Sequence, residues 1–327
     1  MEADISEKVF SYIGIKDYEK LSLLLFEEVS LSPEKLNFPD WHFGSGSIPI
    51  IQTVINEDID SCRVLLEVGA SPNVQDIQGL SPAHHAVQLR NFELLQLLIS
   101  RGADVNIEDH LLGRTPLHTL CYSLASNKPL SNEKVNIFHL LLEYSDVNTQ
   151  TKINKNTPLH ILSFKNSHLE SIIKPLSTHP HINIDAVNED GQTPLIIALE
   201  NNFDELASFF IGIGSNLSSV NRHGETSLLI ACRKNQVRLV LEMLETNKCP
   251  TRSRDIDNNT SFHLAASRER EIRWGKRQWS LHEMDNLILL YNSFREKIQE
   301  MKEMQVFDGH FFNQSMLSQN MVIQKIK

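Results

Sequence analysis

Catalytic signatures are missing from this sequence. No Gly-rich loop followed by a helix and a lysine is present to cradle phosphate; Gly44-Ser45-Gly46 has neither. Kinase, protease and dinucleotide-binding patterns are also missing. Cysteine is scarce: Cys62, Cys121, Cys232 and Cys249 lie far apart, with no Cys-x-x-Cys pair. They read as small buried apolar residues, and a reducing cytoplasmic or nuclear setting is expected. No apolar run approaches the roughly 18 residues of a spanning helix. Met1 to Glu7 is acidic and polar, so no signal peptide is expected. The chain of 327 residues carries a formal charge of −10 and no base-reading motif, which argues against nucleic acid as a partner. These absences exclude most enzyme classes. No catalytic residue, cofactor site or metal site is assigned, and the expectation is a non-enzyme.

What is present is a repeat. Gly102-Ala103-Asp104-Val105-Asn106 is followed by Ile107 to Leu112 and then by Gly113-Arg114-Thr115-Pro116-Leu117-His118. With the Thr of that last tetrapeptide as a ruler, copies fall at Ile48, Ser81, Thr115, Thr157, Thr193, Thr226 and Thr260, spaced by 33, 34, 42, 36, 33 and 34 residues. Each residue type has a physical reason. Thr115 is an N-cap whose hydroxyl accepts from a free amide of the first turn. Pro116 sits at N1, where a missing N–H costs nothing. Apolar runs such as Leu94-Leu95 with Leu97-Leu98-Ile99, and Leu140-Leu141-Leu142, supply a second helix, closed by Gly69 or Gly102 in the units before and at Leu94. Asp76 with Gly79, Asn188 with Gly191 and Asn221 with Gly224 are turn formers. Each unit is a turn and two short helices that cannot bury its apolar face alone, so units must stack.

The period near 33 and the Thr-Pro-Leu-His core resemble the ankyrin repeat family over roughly residues 48 to 300. The resemblance implies an all-α solenoid of stacked helix-turn-helix units with projecting β-turn fingers. About seven repeats are expected, with an N-terminal helical cap and a long C-terminal helix. It assigns residues 1–35 to the cap or a degenerate repeat, 36–279 to repeats, 280–304 to a capping amphipathic helix and 305–327 to a flexible tail. It also implies that His118, His160 and His263 bond between neighbouring turns, and that Asn73, Asn106 and Asn148 sit where some family members are hydroxylated.

Departures from the pattern mark further features. Residues 5 to 29 predict a helix pair with Leu21 and Leu23 to Phe26 on the second helix. Residues 36 to 49 carry Trp41 and Phe43 in a finger position, where Trp41 would anchor a partner or pack on the cap. The finger before Thr115 is one residue too long, and Leu111 and Leu112 make it apolar. The stretch from Ser123 to Glu133 predicts a polar loop between two helices. Pro175 interrupts or closes a second helix, and His179-Pro180-His181 reads as a turn more readily than as a metal pair. Ser280 with Glu283 forms a capping box, and Leu281, Met284, Leu287, Ile288 and Tyr291 continue as an amphipathic helix.

Charge changes sign along the chain. The first 70 residues hold 13 acids and 5 bases, whereas Arg222 to Arg277 hold 12 bases and 7 acids. Opposite fields of this kind orient an encounter. The expected function is a protein-interaction scaffold or adaptor that binds a partner on the concave surface implied by the resemblance. The alternative is a stoichiometric inhibitor or regulator of an enzyme or transcription factor, or the ankyrin segment of a larger trafficking or signalling protein. Candidate partner-binding residues are Trp41, Ile77, Gln78, Leu80, Gln88, Leu89, Leu111, Leu112, Arg222, His223, Arg233 and Lys234. The four basic ones suit an acidic or phosphorylated segment. A monomer without a membrane span is expected.

Overall fold

A computed structural model describes residues 2–27, 36–37, 48–124, 130–165, 169–246, 248–261 and 263–264. Trp41, Phe43, most of the loop after Leu124, the cluster from Arg268 to Arg277, the helix expected over 280–304 and the tail at 305–327 lie outside them. Contacts divide the chain into one unit ending at Arg222 and a second beginning at His223.

In the first unit, short helices come in pairs. They are α1 (Glu2–Gly14) with α2 (Tyr18–Glu27), α3 (Pro49–Ile55) with α4 (Ile59–Glu67), and α5 (Pro82–Leu89) with α6 (Phe92–Ser100). Then come α7 (Pro116–Leu124) with α8 (Asn132–Tyr144), α9 (Pro158–Ser163) with α10 (Lys174–Ser177), and α11 (Pro194–Glu200) with α12 (Asp204–Gly212). The first helix of each pair packs on the first helix of the next, from α1 through α11, and the second helices pack on one another in a second row from α2 through α8. Between the rows lies the core. Leu117, Leu120, Cys121 and Leu124 of α7 and Ile137, Phe138 and Leu141 of α8 are buried. No strand occurs among the described residues; an isolated bridge pairs Arg254 with Thr260 in the second unit.

The tetrapeptide works as the residue types require, with one addition. Thr157 N–H donates to His160 Nδ1 at 3.2 Å while Thr157 Oγ1 accepts from His160 N–H at 3.4 Å. Histidine thus takes the place of the acidic residue of an ordinary capping box. Its other nitrogen, Nε2, donates to the carbonyl just before the next ruler residue: His84 to Arg114, His118 to Asn156 and His160 to Gln192, at 2.9 to 3.2 Å. The same side chain therefore caps one repeat and ties it to the next.

Two further ladders join the repeats. At the finger tips, backbone N–H groups of His110, Lys152, Glu189 and Arg222 donate to the carbonyls of Gln78, Leu112, Asn154 and Asp190 in the preceding finger. After the second helices, Asn148 Nδ2 donates to His181 O at 2.6 Å and its Oδ1 accepts from Asn183 N–H at 2.8 Å. Asn73 and Asn106 make the same double bridge. Asn148→Ala is expected to lower stability by about 1 kcal/mol in urea denaturation, since two backbone groups lose a partner at an exposed site where water replaces it in part. An unchanged midpoint would show that this ladder carries no energy.

Pro175 explains an irregular second helix. Its ring removes one N–H and crowds the carbonyl four residues back. The chain accommodates it with a π-helical turn, Leu169–Ile173, leading into α10. α8 begins at Asn132, within the stretch expected to be a polar loop, and just past that stretch Lys134 is 4% exposed and donates from Nζ to Ser123 O at 3.0 Å near the end of α7. A cation there complements the carbonyl end of that helix.

The second unit contains α13 (Ser227–Lys234) and α14 (Val237–Glu245). Thr226 caps α13 through Leu229 N–H at 3.4 Å, and Asn235 closes it in the left-handed region at φ 61°. A finger follows in which Asp255 Oδ1 accepts from Asn259 N–H, and Thr260 Oγ1 meets His263 Nδ1 at 2.7 Å.

Candidate partner-binding surface

The surface beside the fingers is built from two positions per repeat: the residue just before the ruler Thr and a residue eight places later, near the end of the first helix. The chain returns the second to the first, and three repeats show direct contact. Arg114 lies over the Tyr122 ring, 5.5 Å from its centroid. Gln192 Nε2 donates to Glu200. In the second unit, Arg233 grips Glu225 through two bonds, Nε to Oε1 at 2.6 Å and an NH2 group to Oε2 at 3.0 Å. By register, Leu80 with Gln88 and Asn156 with Phe164 are the corresponding rungs.

Apolar side chains stand out on this surface in the first unit. The finger tips expose Ile77 (70%), Leu111 (67%) and Ile153 (59%), and the helix ends expose Tyr122 (43%) and Phe164 (37%), with Ile55 and Leu89 also in the open. Folding normally hides residues of this size, and here they recur at matched positions of successive repeats. Ile55, Tyr122, Ile153 and Phe164 are not among the sequence candidates, although the ruler places them one or two repeats from Gln88 or Ile77.

The remaining candidates fall as follows. Gln78 is exposed, and its N–H donates to Asp76 Oδ1 at 2.8 Å. Leu80 and Leu112 are half-buried; Leu112 N–H donates to Asp109 Oδ1 at 2.7 Å, so its backbone shapes the long finger. Gln88 and Leu89 are exposed at the end of α5. Arg222 is bound to Asp190 at 2.6 Å, and Arg233 to Glu225 at the same distance. The two arginines expected to receive an acidic segment thus already hold carboxylates of this chain. His223 is an exposed finger residue whose carbonyl accepts from Ile256 N–H, and Lys234 ends α13, half-buried.

Titratable groups beneath the surface are structural. Burial holds the imidazoles of His118 and His160 down at about 4, outweighing the carbonyl hydrogen bonds that favour the charged form. It lowers His84 as well. His85 Nε2 meets Asp76 Oδ2 at 2.9 Å at the foot of a finger. Burial pushes the Cys62 thiol up to about 11 and raises Cys121 and Cys232 too, so these thiols are poor nucleophiles at neutral pH. Among the described residues no group of three or more His, Cys, Asp or Glu could hold a metal; His179 and His181 are an edge-on pair, 5.8 Å between ring centroids. No described helix is long and apolar enough to cross a membrane.

Comparison with known proteins gives the same answer as the geometry. A family model for ankyrin repeats in three copies matches residues 17–109, 50–131 and 123–219. The Escherichia coli K12 protein YahD, itself named an ankyrin repeat protein, is 30% identical over 148 residues, covering 44% of this chain and 66% of YahD. Zebrafish (Danio rerio) ZDHHC13 is 29% identical over 134 residues, 41% of this chain but only 19% of that protein. The chain therefore spans less than two thirds of the length of either relative. The solved ankyrin repeat domain of Bcl-3 superposes with a TM-score of 0.58 at 22% identity, over 68% of this chain and 96% of that domain. The finger, capped helix and second helix recur in the register that this model describes, over more than half of the residues, and the chain belongs to the ankyrin repeat family.

Proposed function

We propose that this chain is a protein-docking module that receives an apolar segment of a partner on the finger side of the first unit, between α3 and α9. Ankyrin repeats as a family mediate protein–protein interaction, and the reading places that role on particular residues. The observation that carries it is the exposed row of Ile77, Leu111 and Ile153 at the finger tips beside Tyr122 and Phe164 at the helix ends. Tyrosine and large apolar side chains on a pre-formed frame give up little entropy on binding and supply most of the energy of an interface. The three ladders hold that frame, so binding needs no ordering of the module.

The test is affinity purification of the wild type beside Tyr122→Ser with Phe164→Ser. Two lost anchors cost about 2 kcal/mol or more, roughly 30-fold in affinity. The partner recovered by the wild type is expected to vanish from the double variant while its melting curve shows a folded protein. A partner recovered equally by both would refute the reading.

A further inference from the structure

The finger-side surface changes chemistry at its last rung in the first unit. The cation of the Arg114/Tyr122 rung is neutralised within the chain, because Arg114 Nε lies 3.0 Å from Asp109 Oδ2. The anion of the Gln192/Glu200 rung is not. One Glu200 oxygen accepts from Gln192 Nε2, and the other accepts from Asn221 Nδ2 at 3.1 Å. Both donors are uncharged amides. Among the described residues no Lys, Arg or His comes within ion-pairing distance of Glu200, and Lys165, exposed at the end of the neighbouring α9, makes no pair with it. The carboxylate is therefore aimed by two hydrogen bonds, half-exposed and uncompensated. Glu189 at the tip of the same repeat's finger adds charge of the same sign, whereas Asp190 and Arg222 cancel each other.

Resting on the docking role proposed for this surface, we infer that the segment bound here is basic as well as apolar: its large apolar side chains cover Tyr122 and Phe164, and a lysine or arginine lands on Glu200. An acidic segment would meet an unpaired carboxylate at this end, a repulsive contact that selects against it. Spacing comes from packing. Adjacent helices lie about 8–10 Å apart, and an extended chain advances about 3.3–3.6 Å per residue. The basic residue therefore sits about three positions from the residue over Phe164 and about six from the one over Tyr122 when the segment is extended.

Selection of phage-displayed random peptides on the full chain tests this. Enriched peptides are expected to pair a large apolar residue with a lysine or arginine at that separation. A fluorescent copy of the leading peptide is expected to lose about tenfold in affinity on Glu200→Gln, which removes the charge and keeps one of the two acceptor oxygens. Replacing the peptide's basic residue by alanine should cost the same on the wild type and nothing more on Glu200→Gln. Enriched peptides without a basic residue, or equal affinity for the wild type and Glu200→Gln, would overturn the inference; if Phe164→Ser still weakened them, the docking reading would stand. Peptides that bind the Tyr122→Ser, Phe164→Ser double variant undiminished would sink the docking reading itself.

Discussion

Between pH 7 and pH 5 the first unit is expected to lose about 4 kcal/mol of stability, a large share of the roughly 5–15 kcal/mol that holds a typical domain folded. The cause is the histidine ladder. His118 and His160 are buried, and their Nδ1 atoms accept from the N–H groups of Thr115 and Thr157 at 3.2 Å. A proton on Nδ1 would set two donors face to face. Folding therefore keeps the rings neutral down to about 4, while in the unfolded chain they protonate near the ordinary 6.5. The unfolded state binds more protons throughout that window. The stabilisation is complete above about pH 6.5 and is lost as pH falls toward 4, with each histidine contributing a slope of about 1.4 kcal/mol per pH unit. His84 adds in the same direction. Urea midpoints at pH 7, 6 and 5 measure the slope. His118→Gln, whose amide still serves the capping position, should remove about half of it. A stability flat from pH 7 to 5 would contradict the buried neutral ladder.

The second large effect belongs to the fingers. Gly79→Ala is expected to cost about 3 kcal/mol, against about 1 kcal/mol for Gly102→Ala. Both glycines have positive φ, +81° and +84°, so backbone strain is similar. Their surroundings differ. A Cβ on Gly79 would lie 2.4 Å from the backbone nitrogen of His110, the atom that donates to Gln78 O across the finger ladder. Nothing lies within 4 Å of a Cβ on Gly102. Gly79→Ala must therefore push two fingers apart and open the surface between Ile77 and Leu111, adding a loss of partner binding to the loss of stability. Equal destabilisation by the two substitutions would show that finger contact contributes nothing beyond strain.

The repeat register was legible because the tetrapeptide does its work locally. A capping Thr, a first-turn Pro and a His that reaches the next turn are readable from residue type and spacing alone. The pairing of rungs was harder to read. Arg233 and Glu225 are eight residues apart, as are Gln192 and Glu200, and nothing in composition says that they touch. A count of bases after Arg222 registers excess positive charge, yet Arg222 and Arg233 spend theirs on Asp190 and Glu225. The uncompensated charge in the first unit's rungs is instead the anion of Glu200. Exposed Tyr122 and Phe164 were hidden for a related reason: in a sequence an apolar residue near the end of a helix reads as core, and only the stacking of repeats decides which end stays open. Lys134 shows the converse, a charged residue just past a polar stretch that the fold buries against a helix end.

Site-specific photo-cross-linking in cells tests the central claim most directly. A photoreactive amino acid at Ile153, on a finger tip, is compared with one at Glu143, exposed on α8 in the opposite row. The account predicts covalent partner adducts from position 153 and none from 143. Adducts from 143 alone would place the partner on the second helices and contradict it.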